Sequence, residues 1–265
     1  MKVLSLYLYP VKSLAGIQVS SLELDDFGPR GDRRWMIVDG GGQFVTQRKM
    51  PHLALIRTEL EGGHVRVRIP GEGVFVLQPT PEQLQVTVWR DQVCASAGQD
   101  QANEALSRFS GERLQFVYMP NTTYRRVDPE RVADVRRVGF ADGFPFLLVN
   151  LASLDELNSR LTQPVDIRRF RPNIVVSGSE PWAEDRWHSL MIGEIRFDVV
   201  KPCSRCVLTT VDPDTGVKDA DTQPLKALSS YRKTPDGVIF GQNAIHEGTG
   251  KIVVGDRVFI SKQEC

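Results

Sequence analysis

The sequence predicts a mainly β protein of the α+β class: a small barrel-like first part packed on a second barrel with a few short helices. Three observations carry this expectation. Short alternating segments recur at close spacing, separated by Gly- and Pro-containing turns. Helical periodicity is confined to a few short windows. The chain has 265 residues, 41% of them hydrophobic, which is ample for a packed core in one large or two small domains.

The elements follow in order. "VLSLYLYP" and "IQVSSLEL" alternate as half-buried strands do. "RWMIVD", "GQFVT", "LALIRTEL", "HVRVRI", "GVFVL", "LQVTVW" and "QVCAS" continue the strand pattern, with turn signals in "DGGGQ", "EGG", "PGEG" and "WRDQ". "DGGGQ" joins two short strands as a hairpin. Such spacing predicts a small barrel or sandwich. "GQDQANEALSRFSGE" breaks the pattern: Ala102, Ala105, Leu106 and Phe109 share a helical face, and Gly111 is the stop. "RLQFVYM" returns to strand. Residues 119–143 are polar and read as a solvated connection; their five arginines (125, 126, 131, 136, 137) offer the alternative of a face for a polyanion.

"FPFLLVN" reads as a buried strand, and "SLDELNSRL" as a helix with Ser153 and Glu156 placed as a capping box. "NIVVSG", "EIRFDVV" and "CVLTTVD" read as strands. "PLKALSSYR" is a short helix with Pro at its first turn. "GVIFGQNAI" and "KIVVGDRVFI" close the chain as strands. The composition shift near residue 120 divides the chain into 1–120 and 121–265, each expected to curl into a barrel, since closure removes exposed strand edges.

Charge narrows the function classes. With 33 basic and 33 acidic residues there is no general attraction to nucleic acid or acidic membranes, so anion recognition must be local. No apolar run approaches the roughly 20 residues that span a bilayer. The start, "MKVLSLYLYPVKSL", is interrupted by Pro10 and Lys12 before a signal-peptide core develops, and the reading is a cytoplasmic protein. Four cysteines do not make a disulfide scaffold.

The stretch "VVKPCSRCVLTTVDPDTG" carries two thiols, Cys203 and Cys206, and three readings are open. A redox disulfide of the CxxC type begins a helix, whereas the β-branched run after Cys206 favours a strand. A structural zinc needs four ligands, and the other candidates (Cys94, Cys265, His52, His64, His188, His246) are scattered. An iron–sulfur cluster meets the same objection. The third reading is one thiolate binding a metal that brings an organic chelate with it. Three segments offer groups for the anionic parts of such a chelate. They are Lys12 and Ser13 in "YPVKSL", Arg30, Arg33 and Arg34 in "GPRGDRRW", and Arg168, Arg169, Arg171 and Asn173 in "RRFRPN". The acidic "DPDTG" turn either supports the site or only fixes its own backbone.

"YPVKSL", "DRRWMIVD", "RFRPNIVVSG" and "CSRCVLTTVDPDTG" together, in this order, resemble the MOSC family, in the branch that carries an N-terminal β-barrel domain. The resemblance spans nearly the whole chain. It implies a molybdenum cofactor, one pyranopterin dithiolene (molybdopterin) on the metal, with Cys206 as the metal ligand. It places Ser204, Arg205, Lys12, Ser13, Arg33 and Arg171 against the cofactor, with Asn173, Asp142 and Asn243 as further contacts. Cys203 is then a small buried neighbour. The implied activity is reduction of N-hydroxylated small molecules (hydroxylamines, amidoximes, N-hydroxylated bases) with electrons from a separate donor, a reductase or ferredoxin-like protein. The alternative is a sulfur-carrier or cofactor-delivery protein using the same cysteine. His246, in "NAIHEG", is a proton-donor candidate by position, against the reading of a surface histidine.

Overall fold

The computed structural model describes residues 1–261. It is mainly β with short helices, in agreement with the class read from the sequence: nineteen strands and three α-helices among the described residues. The largest sheet has nine strands. Along it lie Val258–Ile260, Ser189–Ile192, Ile195–Arg205, Gly237–His246, Phe146–Asn150, Ile174–Ser177, Lys2–Leu8 and Ile17–Val19, with Lys233–Thr234 attached to Gly237–His246. Phe146–Asn150 and Ile174–Ser177 run parallel, Leu148 opposite Ile174. A parallel pair needs a crossover, supplied here by helix Leu151–Ser159 and the 3-10 turn Ile167–Phe170. The sheet curls: Lys2 bridges Arg257, and the Val3 and Val258 amides bond across that join.

Three smaller sheets complete the fold. Strands from before and after residue 120 share two of the four sheets, because Lys2–Leu8 pairs with Ile174–Ser177 and Ser21–Asp25 with Gly250–Val253. One apolar core fills the large sheet around Leu6, Phe146, Ile174, Leu190 and Phe197. Another lies under helix Asp100–Ser110, around Leu53, Val67, Leu106 and Phe116. That helix is the one expected: Ala102, Ala105 and Leu106 are buried, and Gly111 caps it in the left-handed region at φ 74°. None of the described helices is long and apolar enough to cross a membrane.

Several local expectations are corrected. "LALIRTEL" is not one strand. Pro51 opens a 3-10 turn, Pro51–Leu55, and the strand begins at Arg57. "GQFVT" makes isolated bridges only, because the Asp39 carboxylate accepts from the Gly41 and Gln43 amides and shapes a turn there. "CVLTTVD" is a 3-10 turn over Val207–Thr210: the Thr209 and Thr210 hydroxyls donate back to the Cys206 and Val207 carbonyls, at 2.9 and 2.7 Å. Side-chain bonds of this kind compete with strand pairing. The cap of helix Leu151–Ser159 is Asn150, whose Oδ1 accepts from the Ala152 amide, while Ser153 is buried and accepts from the Trp182 amide. Pro224 stands just before helix Leu225–Tyr231 rather than within it. The 119–143 segment is not a free solvated run. Arg125 is buried, with bonds to Asp91 and to the Gly139 and Ala141 carbonyls, and Arg137 stacks on Phe27.

Gly241 marks where Gly237–His246 passes closest to its neighbour. It holds φ 76°, and a Cβ there would lie 2.9 Å from the Leu148 carbonyl oxygen and 2.9 Å from Val149 Cγ2. Gly241→Ala is expected to cost about 2–3 kcal/mol, combining left-handed strain with overpacking. Urea unfolding at equilibrium measures it; a loss below about 0.5 kcal/mol, the ordinary surface range, contradicts this account.

Candidate functional site

The sequence-predicted site residues come from six separate stretches of chain, and the fold brings all ten to one cleft: Lys12, Ser13, Arg33, Asp142, Arg171, Asn173, Ser204, Arg205, Cys206 and Asn243. The cleft encloses about 770 Å³ of empty space, including its open mouth. Cys206 closes the long strand Ile195–Arg205 and precedes the turn Val207–Thr210, in extended backbone. A strand end held by pairing to Gly237–His246 fixes the sulfur's direction.

Three site residues other than glycine hold positive φ: Ser13 at 69°, Arg33 at 45° and Arg171 at 58°. Such conformations cost of order 1–3 kcal/mol and cluster where side chains must be aimed. Here hydrogen bonds to the backbone hold them. The Ser13 carbonyl accepts from Gln47 Nε2, the Arg33 amide donates to the Tyr9 carbonyl while its own carbonyl accepts from the Phe140 amide, and the Arg171 amide donates to the Arg168 carbonyl. Arg33 then pairs with buried Asp32, and its Nη1 donates to Asn173 Oδ1 at 2.9 Å. Asn173 is fully buried; its Oδ1 also accepts from the Leu147 amide and its Nδ2 donates to the Tyr7 carbonyl. It therefore acts by fixing Arg33 and joining two strands. Ser204 Oγ donates to the Asp236 carbonyl and Asn243 Nδ2 to the Pro202 carbonyl.

Five cationic side chains (Lys12, Arg33, Arg48, Arg171, Arg205) and one carboxylate, Asp142, line the cleft. Burial lowers the Arg171 pKa to about 10 by desolvation, and that of Lys12 to about 8 against the pull of Asp142. Desolvation alone would raise the Asp142 pKa, but Lys12 and Arg48 outweigh it and hold the carboxyl well below the usual range. Above about pH 8 the Lys12 ammonium loses its proton, and the cleft loses a positive charge. Phosphate affinity, by titration calorimetry, is therefore expected to fall roughly tenfold from pH 7 to 9, about 1.4 kcal/mol. Lys12→Arg should flatten the profile; an unchanged slope in that variant would show that another group is responsible.

Two residues escaped the sequence reading. Arg48, in "TQRKMP", donates from Nε to Cys206 Sγ at 3.1 Å and from Nη2 to Asp142 Oδ2 at 3.1 Å. Trp89 donates from Nε1 to Asp142 Oδ1 at 3.2 Å and lies under the Arg48 guanidinium, 4.8 Å from it. No sequence spacing marks either; only the fold brings position 48 to position 206. Cys203 also lines the cleft, half-buried rather than sealed in the core, and its sulfur accepts from Arg205 Nη1 at 2.9 Å.

Other candidates fall outside. His246 is not on the surface: it ends strand Gly237–His246, is 4% exposed, and its ring centroid lies 5.2 Å from that of Phe146 and 6.2 Å from that of Phe197. Arg34 is buried on the Met119 carbonyl. Arg168 and Arg169 are taken up by Asp214 and Asp212, and Asp212 caps its own turn by accepting from the Asp214 and Thr215 amides. The "DPDTG" turn thus fixes backbone and anchors those arginines. No group of three or more His, Cys, Asp or Glu stands ready for a metal among the described residues. Cys94 bonds Gln83 in a smaller sheet, and Cys265 lies outside the described residues.

The donor set fits a metal with an anionic organic chelate. Two cysteines line the cleft; the Cys203 sulfur accepts from Arg205 and the Cys206 sulfur from Arg48, and a thiolate suits a metal already bound to sulfur. Arg171 Nη2 and Arg205 Nε, on two residues of the lining, are buried without a hydrogen-bond partner. Buried donors left unpaired cost about 1–3 kcal/mol each, and an anion offers acceptors to such groups. The Tyr9 ring is flanked by the Arg33 and Arg171 guanidiniums, 4.5 and 4.3 Å from its centroid.

Comparison with known proteins agrees in order and extent. Residues 1–113 match the MOSC N-terminal beta barrel domain and residues 135–259 the MOSC domain. The chain is 36% identical to mitochondrial amidoxime-reducing component 1 of Homo sapiens, covering 98% of this chain and 83% of that protein. It is 35% identical to mitochondrial amidoxime reducing component 2 of Rattus norvegicus, over 97% of this chain and 82% of that one. It is 31% identical to molybdenum cofactor sulfurase of Oryza sativa subsp. japonica, over 98% of this chain but 35% of that larger protein.

Proposed function

The chain belongs to the MOSC family, and on that premise we propose that it binds a molybdenum cofactor through Cys206 and reduces N-hydroxylated compounds to the corresponding N–H compounds. The observation that carries this reading is the pairing of the Cys206 sulfur, at a strand end, with a cation-lined cleft in which Arg171 and Arg205 keep buried, unpartnered nitrogens. The names of the amidoxime-reducing relatives give the reaction class.

Cys206 would ligate the metal, and Lys12, Ser13, Arg33, Arg171 and Arg205 would hold the anionic chelate. When bound, that group supplies the two-electron chemistry at the N–O bond. The chain's residues do the rest. The strand end fixes the sulfur. Arg48 lies against it, so a negatively charged ligand sphere meets a guanidinium rather than bare solvent. Asp142 holds Lys12 and Arg48 in place. Phe144, Phe146, Leu147 and Phe170 make the apolar part of the lining, which limits water. Overall the N–O bond is cleaved, two electrons come from a separate donor protein and two protons from solvent, and water leaves. The donor contact is transient and of modest area. The protein acts in the cytoplasm, with neither membrane nor nucleic acid as partner.

A second reading draws on the relative called a molybdenum cofactor sulfurase: a carrier that holds or passes on sulfur or cofactor at the same cysteine. One experiment separates them. Molybdenum and pterin fluorescence are measured on the isolated protein, then benzamidoxime and hydroxylamine are offered with a viologen reductant. Bound cofactor with turnover supports the reductase; bound cofactor without turnover favours the cofactor carrier; failure to take up any cofactor overturns both of these and leaves only a sulfur carrier.

A further inference from the structure

Trp89 is 44% exposed. It sits at φ 57° in the turn between strands Pro79–Val88 and Asp91–Gly98. A bulky residue in the left-handed region is a rare choice for a two-residue turn, which ordinarily takes Asn or Gly. Contacts beyond the hairpin hold it there. Its indole nitrogen donates to Asp142 Oδ1 at 3.2 Å, and its ring packs on Phe44 at 5.1 Å and under Arg48 at 4.8 Å. Since Arg48 Nε lies 3.1 Å from Cys206 Sγ, the indole stands one side chain away from the sulfur, on the solvent side.

Asp142 has a matching property. Its Oδ1 accepts from Lys12 and Trp89 and its Oδ2 from Arg48. A carboxylate has about four acceptor positions, so one remains, on Oδ2. The side chain is 59% exposed, which leaves that position reachable from the mouth.

We propose that Trp89 and the remaining acceptor of Asp142 form the substrate wall of the cleft and select planar amidoxime-type substrates. The conjugated face of the substrate stacks on the part of the indole that Arg48 and Phe44 leave exposed, and the N–H group beside its N–OH donates to Asp142. Amidoximes, N-hydroxyguanidines and N-hydroxylated amino-bases carry both features. Hydroxylamine has no face to stack. The inference rests on the reductase reading for the identity of its substrates, but the wall can be tested without turnover.

The ligand for that test is benzamidine, the N–H product of benzamidoxime, titrated by calorimetry into the cofactor-loaded protein. Trp89→Leu is expected to weaken benzamidine binding by about five- to tenfold, the usual range for one aromatic stack, and Trp89→Phe to restore most of it. In turnover, Trp89→Leu should raise KM for benzamidoxime by a similar factor and by at least about threefold more than it raises KM for hydroxylamine, which shares any effect of the lost indole bond to Asp142. Equal benzamidine affinity in the wild type and Trp89→Leu overturns the wall. So does an equal rise in KM for both substrates. Wild-type protein that reduces neither substrate sinks the reductase reading instead, while the benzamidine titration still decides whether the wall exists.

Discussion

Cys206→Ser is expected to lower reduction of benzamidoxime by at least about a hundredfold. Residues that merely orient a metal ligand cost 10–100-fold when removed, and Cys206 is the ligand in this reading. Serine keeps the shape but is a hard, protonated oxygen that poorly matches a sulfur-rich metal. Stability should hardly change. Cys206 is half-buried and belongs to no apolar cluster, so the substitution belongs with surface changes of about 0.5 kcal/mol or less. Metal analysis and a thermal melt on the same sample separate the two effects. Retained activity with full molybdenum in Cys206→Ser would falsify the assignment of this sulfur. Loss of activity together with unfolding would make the role structural.

Phe170→Ala is expected to destabilise the protein by about 3–5 kcal/mol, the range for emptying a large buried aromatic site. Phe170 is fully buried and stacks on Phe240 with centroids 3.9 Å apart and planes 21° from parallel. Around the pair lie Leu147, Leu154, Leu157 and Leu228, so the hole has few ways to collapse. The effect reaches the site as well. The Phe170 carbonyl accepts from Arg205 Nη2 at 2.7 Å, and the next residue is Arg171 at positive φ. Chemical denaturation at equilibrium gives the stability loss, and pterin content after gel filtration gives the loss of cofactor. A cost below about 1 kcal/mol would mean that this cluster does not hold the floor of the cleft.

How much of this was legible before the fold was known differs by residue. The two thiols and the Lys- and Arg-bearing turns are legible as local patterns, while Ser204, Arg205, Asp142 and Asn243, and the choice of Cys206 over Cys203, follow only from the resemblance to the MOSC family; all ten named positions line one cleft. Arg48 and Trp89 could not be read. Arg48 looks like any surface arginine until residues 46–50 fold back onto a strand end 158 positions away. The turn-like "HEG" suggests a surface histidine and hides that the His246 ring lies on Phe146. The run after Cys206 reads as a strand because β-branched residues favour strands on average, whereas two threonine hydroxyls bonding back to carbonyls make it a 3-10 turn. The helix Asp100–Ser110 was easy: its apolar spacing and its glycine stop both lie within one short window.

The pairing of the first strand with Ile174–Ser177 bears on how the chain reaches its native state. Leu6 must find Ile174, and Leu22 must find Ile252, across most of the polypeptide. Contact order is therefore high, and chains of that kind acquire structure slowly, because loop closure must precede the contacts that reward it. During synthesis the opening segment waits, apolar and unpaired, until more than half the chain has left the ribosome. That interval leaves apolar surface open to aggregation, so the yield of active material is expected to rise when expression is slowed or cooled.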